Sequence, residues 1–481
     1  MKKRSIYVTV MLVLLAAWFI TCAVNPVTGK REFMLLSESD ELALGKQTDA
    51  EVIATYGLYE DAELNAYVSQ LGKKMAALTH RPNLAYEFKV LDTPVVNAFA
   101  VPGGYIYLTR GILSYLNDEA ELAGVVGHEL GHVAARHTAQ QYSRAQLAQV
   151  GLGVGMMLSE NFRKYAGIAS LGVNLLFLRF SRDNERQSDD LGVEYSSKAG
   201  FDANAMAEFF NTLERMNSSS SSSGLPEWFS THPNPVDRIG AVRRKTAEWQ
   251  QKLAGQQFVL NQDQYLAQVD GIVFGEDPRQ GYVDGQAFYH PTMKFTLPVP
   301  TKWTVNNTPN QLQFVSPNQD AAIMMTAGSG TSPQSAASTF IQQANASVQK
   351  SDAITVNGLS AQRVLSGVIT ESDTLAVLSY FIFKDNLIYT LHGMSAPAGY
   401  SSYASTFNGV MGQFKNLTDS KRMQVKPTLL SVKSNKTTGT LATALRASGV
   451  AEKDLENLAV LNGKKLEDPL KLNSKLKLIS N

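Results

Sequence analysis

Leu122, Val126, Leu130 and Val133 recur at the three- and four-residue spacing of a helix face, and the acidic Asp118, Glu119 and Glu121 stand where that helix would begin, behind Asn117 as its N-cap. The same period marks an earlier helix over 61–78, with Leu64, Tyr67, Val68, Leu71 and Met75 on one side, and Ser37 with Asp40 offers a capping-box start to one before it. Two short apolar runs, 97–101 and 105–109, flank Pro102, Gly103 and Gly104, which predicts a hairpin. Apolar stretches at 147–158 and 165–180 are broken by glycine or flanked by charge. They fall short of the roughly 20 residues a membrane helix needs, so buried helices or a cleft wall are expected.

After a turn-rich bridge, strand-like runs at 322–326, 378–383 and 387–391 alternate with helical patterns at 332–349 and 402–414. The lysine-rich tail reads as a strand at 429–432, helices near 440–447 and 452–461, and a strand at 475–479. The expected fold class is α+β. A mainly helical domain with a small antiparallel sheet covers 25–256, a bridge covers 257–290, an α+β domain built on an antiparallel sheet covers 291–416, and a small β-α-α-β module covers 425–481.

Composition changes this picture in two places. The balance of 44 basic against 43 acidic residues gives no reason to expect a nucleic-acid partner. Cys22 is the one cysteine, so no intramolecular disulfide forms. It follows a basic start, Lys2, Lys3 and Arg4, and an apolar run over 6–20, which predicts a signal peptide or lipoprotein anchor over 1–22. Phe19-Ile20-Thr21-Cys22 is similar to a bacterial lipobox, with Phe and Thr where Leu and a smaller residue are usual, and Cys22 is the expected lipidation site. An uncleaved anchor of about 17 apolar residues is the competing reading. Both export the protein and tether it to a membrane, and Ala23 after the cysteine favours, by analogy, an outer membrane.

The candidate chemistry is concentrated at HELGH, residues 128–132. Residues four apart on a helix lie one turn above another, so His128 and His132 can bind one zinc ion while Glu129 stands beside the attacking water as general base. With seven histidines in the whole chain, a chance pair with Glu in this slot is improbable. Gly131 lowers helix propensity by about 1 kcal/mol against Ala, which tight packing would justify. A third ligand is needed. His137, five residues after His132, lies about 140° round the helix and is expected to face solvent or to make a contact behind the ligands. The segment from Phe180, FSRDNERQSDD, is better suited: Ser181 can cap a helix that carries Glu185 and Asp189 at i and i+4. On their own these two read as a solvated charged face. Beside HELGH, Glu185 reads as the ligand completing a His₂Glu site with one open position, and Asp189 as acceptor for the spare N–H of a ligand histidine.

HELGH, the E-x-x-S-D at 185–189 (where E-x-x-A-D is usual), STHPNPVDRI at 230–239 and NAFAVPGGYIYLTRGIL at 97–113 together resemble metallopeptidase family 48, over about 25 to 291. That family includes the CAAX prenyl proteases, the heat-shock-induced membrane protease and periplasmic proteases that clear misassembled outer-membrane proteins. The resemblance implies a gluzincin-like fold with one zinc ion per chain. It places His232 facing the metal, either stabilising the oxyanion or acting as a fourth ligand in a closed, latent state. Arg238 would assist or pair with a carboxylate. The strand Asn97, Ala98, Phe99 and Ala100 would offer an edge to an extended substrate, against the plainer reading of a covered hairpin. The serine-rich run at 217–224 reads as an access loop or an inert insertion, and His290 as structural.

The expected function is a membrane-tethered zinc endopeptidase on the periplasmic face of the envelope, acting on misfolded or misassembled proteins. The alternative is a catalytically latent chaperone or cell-wall adaptor. Gly439-Thr440-Leu441 and Leu461-Asn462-Gly463 give the tail a resemblance to a LysM module, which would make peptidoglycan a partner.

Overall fold

The computed structural model describes residues 22–152, 179–219, 228–233, 237–369 and 374–480. Contacts divide it into two units, one built from the chain up to Gly275 together with Thr428–Ser480, the other from Glu276–Pro427. The expected signal peptide, most of the apolar stretches at 147–158 and 165–180, most of the serine-rich run and residues 234–236 lie outside the described residues, as does the Cys22 side chain.

The first unit opens with a short strand pair, β1 (Cys22–Val24) and β2 (Arg31–Phe33). Helix α1 (Glu38–Tyr56) starts in the capping box formed by Ser37 and Asp40, and α2 (Ala62–Ala76) is capped by Asp61. Strands β3 (Glu87–Leu91), β4 (Ala98–Val101) and β5 (Tyr105–Thr109) form a sheet of order β3-β5-β4. β4 and β5 are the predicted hairpin, its turn made by Gly103 and Gly104 at φ 82° and 94°, where side chains are strained. β3 joins parallel to β5, so the small sheet is mixed rather than purely antiparallel.

Helices α3 (Arg110–Tyr115), α4 (Glu119–Ala134), α5 (His137–Leu152), α6 (Arg182–Lys198), α7 (Asn204–Ser219), α8 (Trp228–Thr231), α9 (Arg238–Lys252) and α10 (Gln262–Val269) complete this part. Every residue of α4 is buried. Its N-cap is Asp118, not Asn117: in an extended backbone, φ −155° and ψ 170°, Asp118 accepts the Glu121 N–H, while the Asn117 N–H donates to the Glu121 carboxylate at 2.6 Å. The first-turn acids are thus interior groups.

In the second unit, β9 (Thr304–Thr308), β10 (Gln311–Val315), β11 (Ala321–Ser329), β12 (Ser347–Val356), β13 (Leu359–Ile369), β14 (Thr374–Lys384) and β15 (Leu387–Ser395) form an antiparallel sheet of order β12-β13-β14-β15-β11-β10-β9. A smaller sheet pairs β6 (Tyr282–Asp284), β7 (Ala287–His290), β8 (Phe295–Pro298) and β16 (Lys415–Asn416). Alternate residues of β14 pack to opposite sides: Leu378, Tyr380 and Ile382 join Phe407 and Met411 of α12 (Tyr400–Met411), while Phe381 and Phe383 meet Ala337 and Phe340 of α11 (Pro333–Gln343). Two covered faces explain its apolar run, interrupted only by Ser379 between Leu375 and Phe383. The helix expected over 332–349 ends at Gln343, because Asn345 takes a left-handed φ of 46° and β12 follows. His290 packs against Phe288 and Phe295, and burial pushes it down to about 4.

The tail runs β17 (Leu429–Ser434), β18 (Gly439–Thr440), α13 (Leu441–Ala447), α14 (Leu455–Leu461), β19 (Pro469–Leu470) and β20 (Lys475–Ser480). It does not stand apart as a module. Leu430, Leu441, Leu445, Leu455, Leu458 and Leu476 belong to the same apolar core as Leu122 and Val126 of α4. The chain leaves the first unit and re-enters it at one place, where the Phe274 N–H donates to Thr428 O at 2.8 Å. Lys477 is buried and donates to the carbonyls of Ser114 and Leu116, each at 2.8 Å, just ahead of the α4 N-terminus. Burial pushes Lys477 down to about 7 and Glu121 up to about 8. Replacing Lys477 by Met strands two buried carbonyls and removes the cation facing Asp118 and Glu121. The expected loss is about 3 kcal/mol of unfolding free energy, read from the urea midpoint of the first unit.

Candidate metal centre

Helices α4 and α6 touch through their smallest residues. A Cβ placed on Gly131 would stand 3.0 Å from Ser188 Cα, one on Gly127 2.9 Å from Gly192 O, and one on Gly192 3.0 Å from His128 N. Only glycine permits this approach, which answers the low helix propensity of Gly131. The close crossing brings Glu185, one turn into a helix capped by Ser181, opposite the two histidines of α4.

His128 Nε2 and His132 Nε2 lie 3.0 Å apart. Glu185 Oε1 is 3.4 Å from His132 Nε2 and Glu185 Oε2 is 3.6 Å from His128 Nε2. His232 Nδ1 sits 3.3 Å from His128 Nε2 and 3.1 Å from Glu185 Oε1. Ligand atoms on all four residues lie within 4.8 Å of one another, and all four side chains are buried. Zinc bonds of about 2.05 Å to N and O imply tetrahedral edges of about 3.3 Å, so the donor set fits such an ion.

The protonation pattern fits too. Burial holds His128 well below its usual range and His132 at about 3, so both rings are neutral. Burial would raise Glu185, but the neighbouring imidazoles of His232, His132 and His128 outweigh it and hold the carboxyl well below the usual range. Neutral imidazole and ionised carboxylate are the forms that bind a metal.

The remaining residues are arranged round this set. Asp189 Oδ1 lies 2.9 Å from His128 Nδ1, and Arg238 donates to both Asp189 oxygens, from Nε and Nη2 at 2.7 Å each. Arg238 therefore pairs with a carboxylate, and its guanidinium lies 4.0 Å over the Phe210 ring. His137 does not face solvent. It is buried, with Nδ1 3.1 Å from His132 Nδ1. His232 is held by its N–H to Trp228 O at 2.8 Å and by the Trp228 ring stacked on its own at 4.4 Å, while the Trp228 N–H donates to Val96 O. Phe180 covers His132 from another side, 4.0 Å between ring centres. Trp228, Phe180 and Gln187 were not singled out by the sequence pattern. An aromatic four residues ahead of His232 was the one signal available.

Glu129 is buried, with no partner in hydrogen-bond geometry on either oxygen. Burial pushes it up to about 7, against the pull of His232 and of the nearby Ala100 N–H. His232 Nε2 stands 3.7 Å from Glu129 Oε1. Ala100 belongs to β4, an edge strand of the small sheet. Asn97 O accepts the Thr109 N–H and Phe99 lies opposite Tyr107, so the backbone groups of Asn97 and Phe99 face β5 and those of Ala98 and Ala100 face away. Thr138 Oγ1 takes up Ala100 O at 3.3 Å.

Residues 62–246 match the model of peptidase family M48. Over that stretch the chain is similar to family M48. The beta-barrel assembly-enhancing protease of Yersinia pestis is 31% identical over 229 residues, 46% of this chain and 46% of that protein. The protein of the same name from Escherichia coli (strain K12) is 29% identical over the same shares. Mitochondrial metalloendopeptidase OMA1 of Schizosaccharomyces pombe is 32% identical over 235 residues, 47% of this chain and 65% of that protein. The chain spans about half the length of the bacterial relatives it matches. The M48 segment contains HELGH, Glu185, Asp189, His232 and Arg238.

The glycine contact is testable. Gly131→Ala is expected to push α6 away, lowering stability by about 2 kcal/mol in urea unfolding and lowering zinc retention on dialysis. Full zinc retention at unchanged stability would refute it.

Proposed function

We propose that this chain is a zinc-dependent endopeptidase of the cell envelope, with His128, His132 and Glu185 as metal ligands and Glu129 as general base. The observation that carries this reading is the convergence of four buried ligand atoms beside a buried carboxylate with no hydrogen-bond partner on either oxygen. An interior carboxylate that accepts no hydrogen bond is a burden on stability, and a purely structural metal site has no need of it. This weighs against the latent adaptor alternative.

Zinc held there would lower the pKa of a water to about 7 and polarise a scissile carbonyl. Glu129, pushed up to about 7 by burial, takes the water's proton on a carboxylate oxygen and returns it to the leaving amine. No covalent bond to the chain is needed. The outward edge at Ala98 receives the substrate backbone as an added strand, which would displace Thr138 from Ala100 O to extend the pairing, with Asn97 and Phe99 holding the register from behind. Asp189, clamped by Arg238, keeps the His128 proton on Nδ1.

His232 Nδ1 lies where a fourth ligand would sit, which favours the closed, latent role over oxyanion stabilisation. Substrate entry then requires His232 to withdraw. Cleavage of misassembled envelope proteins is the substrate class suggested by relatives named beta-barrel assembly-enhancing protease. Anchoring at Cys22 rests on the sequence of residues 1–22. Among the described residues no helix is long and apolar enough to cross a membrane. Peptidoglycan binding by the tail is left out of this reading, because its leucines are committed to the core of the first unit.

Two measurements test the proposal. Glu129→Gln should cut casein degradation by about 100-fold or more at unchanged zinc content, and equal activity in the two proteins would sink the assignment of the base. His232→Ala should raise the rate of casein degradation if the ring closes the site. A lower rate would instead assign it to the oxyanion.

A further inference from the structure

His128 and His132 turn the same ring nitrogen inward but are held from behind by different chemistry. Behind His128 Nδ1 stands the acceptor-only carboxylate of Asp189. Behind His132 there is no charge. Its Nδ1 faces His137 Nδ1 at 3.1 Å, and His137 Nε2 lies 2.8 Å from Gln187 Oε1. Ser188 Oγ, in the slot where the family pattern usually has Ala, reaches the same His137 Nδ1 at 3.3 Å.

Two imidazole nitrogens in contact share one proton, so this chain has two polarities. In the first, His137 Nε2–H donates to Gln187 Oε1, His137 Nδ1 is bare, and it accepts the proton of His132 Nδ1–H. His132 Nε2 is then an open lone pair facing His128 and Glu185. In the reverse polarity His137 Nδ1–H donates to His132 Nδ1, and the His132 proton moves to Nε2, where it blocks a metal. A Glu185 oxygen, 3.4 Å from His132 Nε2, stands ready to accept the proton in this blocking position. A strong acceptor behind Nδ1 is therefore required to hold it back, and Gln187 Oε1 keeps His137 in the tautomer that supplies one. In this polarity the Ser188 hydroxyl donates to the same nitrogen and shares its one lone pair with the His132 N–H.

We propose that His137, oriented by Gln187, is a positioning residue that keeps the His132 proton on Nδ1 and leaves His132 Nε2 free for the metal, through a relay with no net charge. The proposal rests on the metal-centre reading above. It gives the histidine five residues after HELGH a task that neither ligation nor catalysis requires of it.

The test is zinc affinity of the full chain, measured by competition with a chromogenic chelator against the metal-free protein. His137→Phe fills the same space without an acceptor and is expected to weaken zinc binding by about 10- to 100-fold. His137→Asn, which puts an amide oxygen near the former Nδ1, should recover most of that loss. Gln187→Glu, an acceptor only, should bind zinc as tightly as the unmodified chain or tighter. Unchanged affinity in His137→Phe, or equal weakening in the Phe and Asn variants, overturns the relay while leaving the metal centre standing. An unmodified chain that takes up no zinc overturns both.

Discussion

The contact between α4 and α6 is made by Gly127, Gly131, Ser188 and Gly192, and their backbones approach to the limit of van der Waals contact. Apolar side chains at these positions would hold the helices apart by the width of a methyl group or more, and Glu185 would not reach His128 and His132. The ligand set of the first unit therefore depends on an approach that small residues alone allow. Such an approach must be pressed together from outside, because glycine contributes little apolar area of its own.

That pressure requires α4 to be covered on all sides, and a wholly buried helix has ends whose backbone groups cannot turn to water. The structure answers at both ends with long-range charge. At the C-terminus, Arg81 donates to Val133 O, and Arg81 and Arg136 both bind the buried Glu41 of α1. Arg136 itself takes a left-handed φ of 59° as the chain turns out of the helix. At the N-terminus Asp118 caps the helix, and Lys477 arrives from the far end of the chain. Segments more than three hundred residues apart are thus tied to one helix.

The centre has an unequal electrostatic surround. His128 is backed by a carboxylate held by a guanidinium, whereas His132 is backed by neutral groups. Glu129 is left without a hydrogen-bond partner. Buried polar groups without partners are rare in folded proteins and concentrate where chemistry is done. Glu129 falls beside the ligand set and next to the edge strand, where a substrate backbone and its water would come together.

Local order decided much of this, and local order is what a sequence displays. Helical spacing put His128 and His132 on one face, Ser181 marked the start of the helix that carries Glu185 and Asp189, and the Pro-Gly-Gly turn located the hairpin, because each depends on neighbours within a few residues. Residues 25–256, 291–416 and 425–481 were separable by pattern, yet pattern could not tell that the last returns to the core of the first, since leucines at helical spacing do not specify which surface they will meet. The same limit hid the placement of His137, Trp228 and Lys477. The turn at His137 depends on the left-handed Arg136, the stacking of Trp228 on its anchoring to Val96, and the burial of Lys477 on carbonyls far off in the chain. By itself the sequence determined which residues can carry the chemistry. Only the tertiary structure decided which nitrogen of each histidine faces inward and what stands behind it, because those depend on contacts between segments that have no fixed distance until the chain has folded.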